Sequence, residues 1–313
     1  MWLKKLSLPL LLATLIGVFI PALLFAQQED QLKRLKKRVA VFEFEDKTDH
    51  VYHWWTGQSA GQGMSDMLVT ALVKTGNYRV FERQTLEKVM KEQQLGLSGA
   101  VTPESAAQVG KLLGVELAIV GSLTEFGYKK GEIGAAAKKI GFGLGVQSTS
   151  ATVAADVRFI STTTGEILFA ESVRKEESKK GLSVDTREIS FANQNKFDES
   201  IVGKATRAVI DDIVKLMGQK VENIPWSAKV IKGNGTVFIN VGAEAGVQVG
   251  DVFVVYRKGE ELIDPDTGIS LGAVESKIGT IVVANNNIGN GKASQCTVKE
   301  GSGFQKNDVV RIK

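Results

Sequence analysis

The hydrophobic period of this chain changes once, near residue 220, and that change constrains the fold more than any other feature. Before it, apolar runs alternate between strand-like and helix-like spacing; from Ser227 to Lys313 almost no helical pattern remains. Side chains share a face at every second residue of a strand and at about every 3.6 residues of a helix, so the period reports which element can bury them. One such break in a chain of 313 residues calls for two cores, and the length suffices for two domains.

In the first part, "RVAVFEFED" reads as a buried strand beginning at Arg38. Gly57 to Thr75 places Met64, Leu68, Ala71 and Leu72 on one helical face. "GNYRVFER" is a short strand after a glycine turn, and "QTLEKVMKEQQLGLSG" is a helix ending at glycine. In "VTPESAAQVGKLLG", Thr102 caps a helix and Pro103 suits its first position. "VELAIVGSLTEFGY" is the next strand, followed by "SATVAADVRFIS" and "GEILFAESV", which the turn "TTTG" joins as a hairpin. A long amphipathic helix then carries Ile201, Ala205, Ala208, Val209 and Ile213 on its apolar face. The alternation predicts an α/β domain over 38–218. Beyond "QKVENIPW", the runs "GTVFINVG", "DVFVVYRKG", "SKIGTIVVANN", "GKASQCTV" and "DVVRIK" are short strands between glycine turns. They predict an all-β module over 227–313, a small barrel.

The first 26 residues read as an export signal: "MWLKK", then the apolar "LSLPLLLATLIGVFIPALLF", then a cleavage site after Ala26. The apolar stretch approaches the ~20 residues of a membrane span, which leaves an uncleaved anchor as the alternative. Pro9, Pro21 and the following glutamines favour cleavage. Residues 27–37 are charged and read as a linker without a core. The single cysteine, Cys296, has no partner for an internal disulfide and reads as a small packed strand residue. No cysteine near the leader could accept a lipid. Net charge is +4, and no basic patch is interleaved with stacking aromatics, so nucleic acid is not an expected partner.

Sequence constellations for catalysis are weak. His50 and His53 lie beside Asp49, but a metal needs a further ligand of comparable specificity, and none is in view. "GFGLG" precedes strand-like sequence, whereas a phosphate loop opens a helix. No serine occupies a nucleophile elbow. Neither an enzyme, a cofactor nor a metal is expected.

Two segments stand apart. "DHVYHWWTGQ", Asp49 to Gln58, holds both histidines and two of the four tryptophans in a place where a loop is expected. Its rings could fold back on the domain. Residues 128–150 are too long for a tight connection, and in them Ile140, Phe142, Leu144 and Val146 alternate with Gly141, Gly143 and Gly145. One apolar face and one bare face suit an edge hairpin packed on the core. They equally suit a hairpin facing lipid, provided several chains pool hairpins to close a barrel. Periodicity leaves both readings open.

"VAVFEFEDKT", "MSDMLVTALVKTGNYRVFERQTLEKVMKEQ", "LLGVELAIVGSLTEFGY" and "VRFISTTTGEIL" together resemble the CsgG family of curli secretion channels, across 38–218. The resemblance implies an exported homo-oligomeric ring in the outer membrane, each subunit adding two β-hairpins to a shared barrel above a periplasmic α/β domain. It implies passage of unfolded polypeptide without nucleotide hydrolysis. By position, 128–150 corresponds to the first membrane hairpin and 172–195, with Ile189 and Phe191, to the second. The aromatic loop corresponds to the channel constriction, with Tyr52, His53, Trp54 and Trp55 as its wall. His50 and His53 would make such a collar charge-sensitive as pH falls through their reference pKa of ~6.5.

Three features depart from the family pattern. The type member is a lipoprotein, and this chain lacks the acceptor cysteine. The second hairpin, "SVRKEESKKGLSVDTREISFANQNKF", is heavily charged. Each charge facing lipid at mid-membrane costs ~2–4 kcal/mol, so these would line a lumen or stay in the periplasm. Finally, the C-terminal module is foreign to the curli channel. It resembles the C-terminal domain of FlgT, a periplasmic flagellar ring protein, which implies an SH3-like interaction module and a periplasmic partner through 227–313. The alternative function is a soluble periplasmic scaffold on an envelope machine such as the flagellar basal body.

Overall fold

Five consecutive buried residues form β1 (Lys37–Val41), a pattern that only a strand covered on both faces accommodates. The computed structural model describes residues 31, 34–48, 59–81, 114–131, 148–162, 164–180, 193–221, 224–233, 235–265 and 270–313. The leader, the aromatic loop, both helices read between 84 and 113, and the apolar residues of both candidate hairpins lie outside the described residues. Two compact units emerge: one holds the described residues up to Lys36, Pro225–Glu261 and Ala273–Lys313, the other Lys37–Ile224 and Leu262–Gly272.

In the α/β unit, β1 lies between β3 (Tyr78–Phe81) and β4 (Leu117–Gly131), parallel to both. A two-residue strand, β2 (Glu45–Asp46), pairs parallel with β4 further along. The run read as one strand over "RVAVFEFED" is thus two, separated by Phe42–Phe44. β5 (Ser148–Ser161) and β6 (Ile167–Lys180) then add antiparallel, giving the order β3-β1-β4-β5-β6. The sheet is parallel in one half and antiparallel in the other.

Alternation along β4 assigns its two faces. Leu117 and Ile119 join the larger core with α1 (Ala60–Thr75) and α3 (Ile201–Val221), whereas Ala118 and Val120 join a smaller cluster with Ala40, Phe42 and Ile160. On α1, Met64, Leu68 and Leu72 are buried as the spacing predicts. Ser59 caps this helix by accepting from the Gln62 amide at 3.1 Å, and Gly76, left-handed at φ 71°, ends it. A short helix, α2 (Gln194–Glu199), turns sharply into α3. There a Cβ on Gly203 would lie 1.9 Å from the Phe197 carbonyl oxygen, so the corner requires glycine.

The C-terminal unit is a closed barrel of six strands, in the order β10-β11-β8-β7-β12-β9. They are β7 (Ser227–Lys232), β8 (Val237–Ile239), β9 (Val252–Ile263), β10 (Ser270–Ile288), β11 (Ala293–Gly301) and β12 (Val309–Ile312). Phe253, Val255, Ile281, Val283 and Cys296 fill its interior, and Trp226 stacks on Phe253 with ring centroids 5.2 Å apart. Sequence reading found five of these strands. β7 escaped because Ala228 and Val230 point inward while Ile231 points out, which blurs the alternation.

The linker reading of residues 27–37 needs correction at its end. Leu35 is buried in the barrel core, and the Lys36 amide donates to the Ala245 carbonyl at 3.0 Å. Arg34 pairs with Asp251 at 2.8 Å and donates to the Gly246 carbonyl. Gly246 has φ 82°, and a Cβ there would meet the Arg34 carbonyl oxygen at 2.1 Å. Leu32 and Leu35 make one i, i+3 pair among many charges, too short a pattern to mark a buried strap in the sequence.

Candidate functional site

The aromatic loop, 49–58, starts and ends on fixed points. Before it, the Phe44 amide donates to Ser65 Oγ of α1 at 2.8 Å, and Ser65 Oγ donates to the Gly61 carbonyl at 3.0 Å. The Lys47 amide donates to the Leu123 carbonyl of β4 at 2.9 Å. Asp46 accepts from the Thr48 amide at 3.1 Å, a local aspartate turn. After it, Ser59 caps α1. The loop therefore leaves the carboxyl end of the β1–β2 path, the end of an α/β sheet where functional loops collect. Tyr52, His53, Trp54 and Trp55, together with His50, lie outside the described residues.

An open cleft of about 350 Å³ adjoins this exit, lined by Lys47, Ser122, Asp156, Arg158, Glu171 and Ser172. Lys47 pairs with Glu45 at 3.1 Å, and Ser172 Oγ donates to Asp156. The lining mixes both signs of charge and assembles no nucleophile with its base. Among the described residues, no three His, Cys, Asp or Glu side chains converge as a metal site.

The antiparallel half of the sheet is the larger feature. β4 and β5 pair from Leu117↔Ser161 to Gly131↔Ser148, and β5 and β6 pair from Ile160↔Ile167 to Ser148↔Lys180. Gly131, Ser148 and Lys180, the last described residues of the three strands on that side, lie in register with one another. At ~3.3 Å per residue the strands span about 45 Å, against the usual strand of about 5–6 residues. β4 and β5 enter the first candidate hairpin segment from its two ends, and β6 enters the second. Residues 132–147 connect β4 to β5, so Ile140, Phe142, Leu144 and Val146 lie outside the described residues. Residues 172–180 of the second segment continue β6, and Ile189 and Phe191 lie outside.

One face of this ribbon carries charge and the other packs. On the open face, Arg174 bonds Glu125 at 3.1 Å and approaches Glu176 at 3.6 Å, while Lys129 lies 3.8 Å from Glu125. Such exposed pairs add little stability each. On the packed face, the half-buried Tyr128 phenol hydrogen-bonds with the Ser200 side chain and the Val202 backbone. Tyr128 thereby fastens the far part of the ribbon to the α2–α3 corner.

Elsewhere, Cys296 is fully enclosed in β11, and burial pushes its thiol up to about 12, which leaves it inert as a nucleophile. No helix among the described residues is long and apolar enough to cross a membrane, a statement that does not bear on strands. Sequence reasoning singled out the loop and the first hairpin, whose distinctive residues lie outside the described ones. It missed the register that pairs β4, β5 and β6 along their described length, because register is invisible in one sequence.

The model of the family described as curli production assembly/transport component CsgG matches residues 22–237. Loop, mixed sheet and paired ribbon all fall within that span, and the chain belongs to the CsgG family. No curated protein matches the chain in sequence. Among solved structures, the hypothetical protein CT253 from Chlamydia trachomatis is similar at 16% identity, covering 59% of this chain and 98% of its own, with a TM-score of 0.39. The lipoprotein GNA1162 from Neisseria meningitidis is similar at 17% identity, covering 57% and 99%, with a TM-score of 0.34. The PelC dodecamer from Paraburkholderia phytofirmans shows 12% identity over 57% and 86%, with a TM-score of 0.29. None of the three superposes closely enough to bear on what this chain does.

Proposed function

We propose that this protein is an exported, envelope-associated member of the CsgG family that assembles as a ring and forms an outer-membrane pore for unfolded polypeptide. The observation that supports the reading is the long antiparallel ribbon, whose three paired strands run into both candidate hairpin segments. A strand pair that continues past its own core needs partners for its backbone groups, and in a bilayer only closure into a barrel supplies them all. One chain has too few strands to close. A ring of identical chains has enough, and the ribbons set their hairpins at one height.

In that ring the fixed exits at Thr48 and Ser59 hold the aromatic loop toward the axis. Tyr52, Trp54 and Trp55 form a collar, and His50 and His53 give it charge at low pH. Passage is diffusive, with no cofactor or metal. Replacing Trp54 and Trp55 together by alanine should raise the conductance of reconstituted pores. Unchanged conductance would remove these residues from the channel wall, and no conductance from the wild-type protein would remove the pore.

A second reading rests on the separate closed barrel, which supports a periplasmic scaffold docked through 227–313 in the manner of the FlgT C-terminal domain. Deletion of that module should then abolish localisation to the envelope machine. Normal localisation without it counts against the scaffold.

A further inference from the structure

Charge is distributed unevenly along the ribbon of β4, β5 and β6. Register aligns Lys129 with Ser150 and Ser178, Lys130 with Thr149 and Lys179, and Gly131 with Ser148 and Lys180. These rungs border both hairpin segments, and among their residues are four lysines and no carboxylate. In the rungs before them the signs are mixed. Glu177 aligns with Ala151 and Tyr128, Glu176 aligns with Thr152 and Gly127, and Arg174 stands 3.1 Å from Glu125 and 3.6 Å from Glu176. Lys175 is paired with Asp212 of α3 at 2.6 Å. Lys129 reaches back to Glu125 at 3.8 Å, a contact between exposed groups that holds it only weakly. Glu132 follows Gly131 in the sequence and lies outside the described residues; with Glu177 it makes two carboxylates against the four lysines, which still leaves a positive surplus.

The lysines stand on the two outer strands, with the serines and threonine of β5 between them. Two strand spacings of ~4.8 Å put those strands about 10 Å apart, close to a Debye length at about 0.1 M salt. Their charges therefore repel across β5 and act together on an anionic surface laid against the rungs. A cluster of lysines by itself selects no partner; its place does. On the pore reading, the chain beyond Gly131 and Lys180 enters the bilayer, and the first layer met on entry is the phospholipid headgroups. A lysine stem can lie along apolar surface while its ammonium stays at the polar boundary, and lysines just outside a membrane segment draw anionic lipid. A neighbouring subunit of the ring presents the same lysines at the same height and adds to the repulsion.

We infer that Lys129, Lys130, Lys179 and Lys180 form a collar that binds anionic phospholipid headgroups at the periplasmic surface of the membrane. Repeated around the ring, the collar fixes the height at which the hairpins enter. The inference rests on the pore reading above and adds the lipid chemistry that its ribbon seeks.

The test adds full-length protein, purified in detergent, to vesicles of phosphatidylcholine alone and to vesicles in which about a third of the lipid is phosphatidylglycerol. Flotation measures how much protein each population takes up. The wild-type protein should favour the anionic vesicles, and the Lys129→Gln, Lys130→Gln, Lys179→Gln, Lys180→Gln variant should lose at least about tenfold of that preference. The same four positions changed to arginine should keep it. A control that removes equal charge from the barrel, Lys232→Gln, Lys292→Gln, Lys299→Gln, Lys306→Gln, changes only exposed side chains and should also keep it. Wild-type rings that enter both kinds of vesicle equally overturn the collar and leave the pore intact. A control variant that loses as much as the ribbon variant assigns the preference to overall charge and likewise overturns the collar. A wild-type protein that enters neither kind and stays monomeric overturns the pore reading and the collar with it.

Discussion

The two units solve the problem of strand edges in opposite ways. In the barrel, β7 to β12 close on themselves, and every strand has a neighbour on each side. In the α/β sheet, β6 pairs with β5 alone among the described residues, over fourteen residues and to the end of the ribbon. An open edge is a template for pairing with another chain, and proteins blunt it with charge. β6 follows that rule through Arg174, Lys175, Glu176, Glu177 and Lys179. The closed unit owes its stability to its own packing. The open unit leaves one side of β6 without a strand partner among the described residues, as the proposed ring would require of its subunit.

If that division is right, damage to each unit should stay in that unit. The largest effect should come from Phe253→Ala, which empties the fully buried ring under Trp226 and should cost the barrel about 3–5 kcal/mol. Hydrogen exchange should register it in β7–β12 amides and leave β4 and β5 protected; loss of protection across both would merge the units into one. Leu35→Ala sharpens the comparison, because Leu35 precedes the α/β unit in sequence yet packs in the barrel. A loss of about 2–3 kcal/mol should appear in barrel amides, and an effect confined to β1 would refute the strap.

Gly203→Ala is the converse case. Its new methyl would strike the Phe197 carbonyl, and overpacking of this kind costs about 1–3 kcal/mol, felt in α3 and not in the barrel. The smallest effect belongs to Glu300, whose carboxyl is held low by the hydrogen bond and charge of Lys277 and by Thr280. A depressed carboxylate contributes above its unfolded pKa of ~4.3 and loses that contribution as pH falls through the folded value. Glu300→Gln should leave neutral-pH unfolding nearly unchanged and flatten the acid limb slightly. An unaltered acid limb would show that the exposed pair contributes nothing.

The elements most legible in the sequence were those whose burial has a period. The faces of α1 and α3 and the strands β4 and β5 follow from spacing alone, since Met64, Leu68, Leu72, Val209 and Ile213 all enter the core at helical intervals. Long-range features without a period stayed hidden. Arg34 and the Lys36 amide pair with residues more than two hundred positions away, and the pairing of β4, β5 and β6 depends on register. Ile140 to Val146 and the aromatic loop were visible as oddities. Both lie outside the described residues, and the role proposed for each rests on the resemblance to the family.

The pore reading meets its most direct test in electron microscopy of the full-length protein extracted from outer membranes in detergent. Rings of uniform size with a central opening and a membrane-spanning barrel are the expected result. A protein that remains soluble without detergent and appears as single subunits would contradict it.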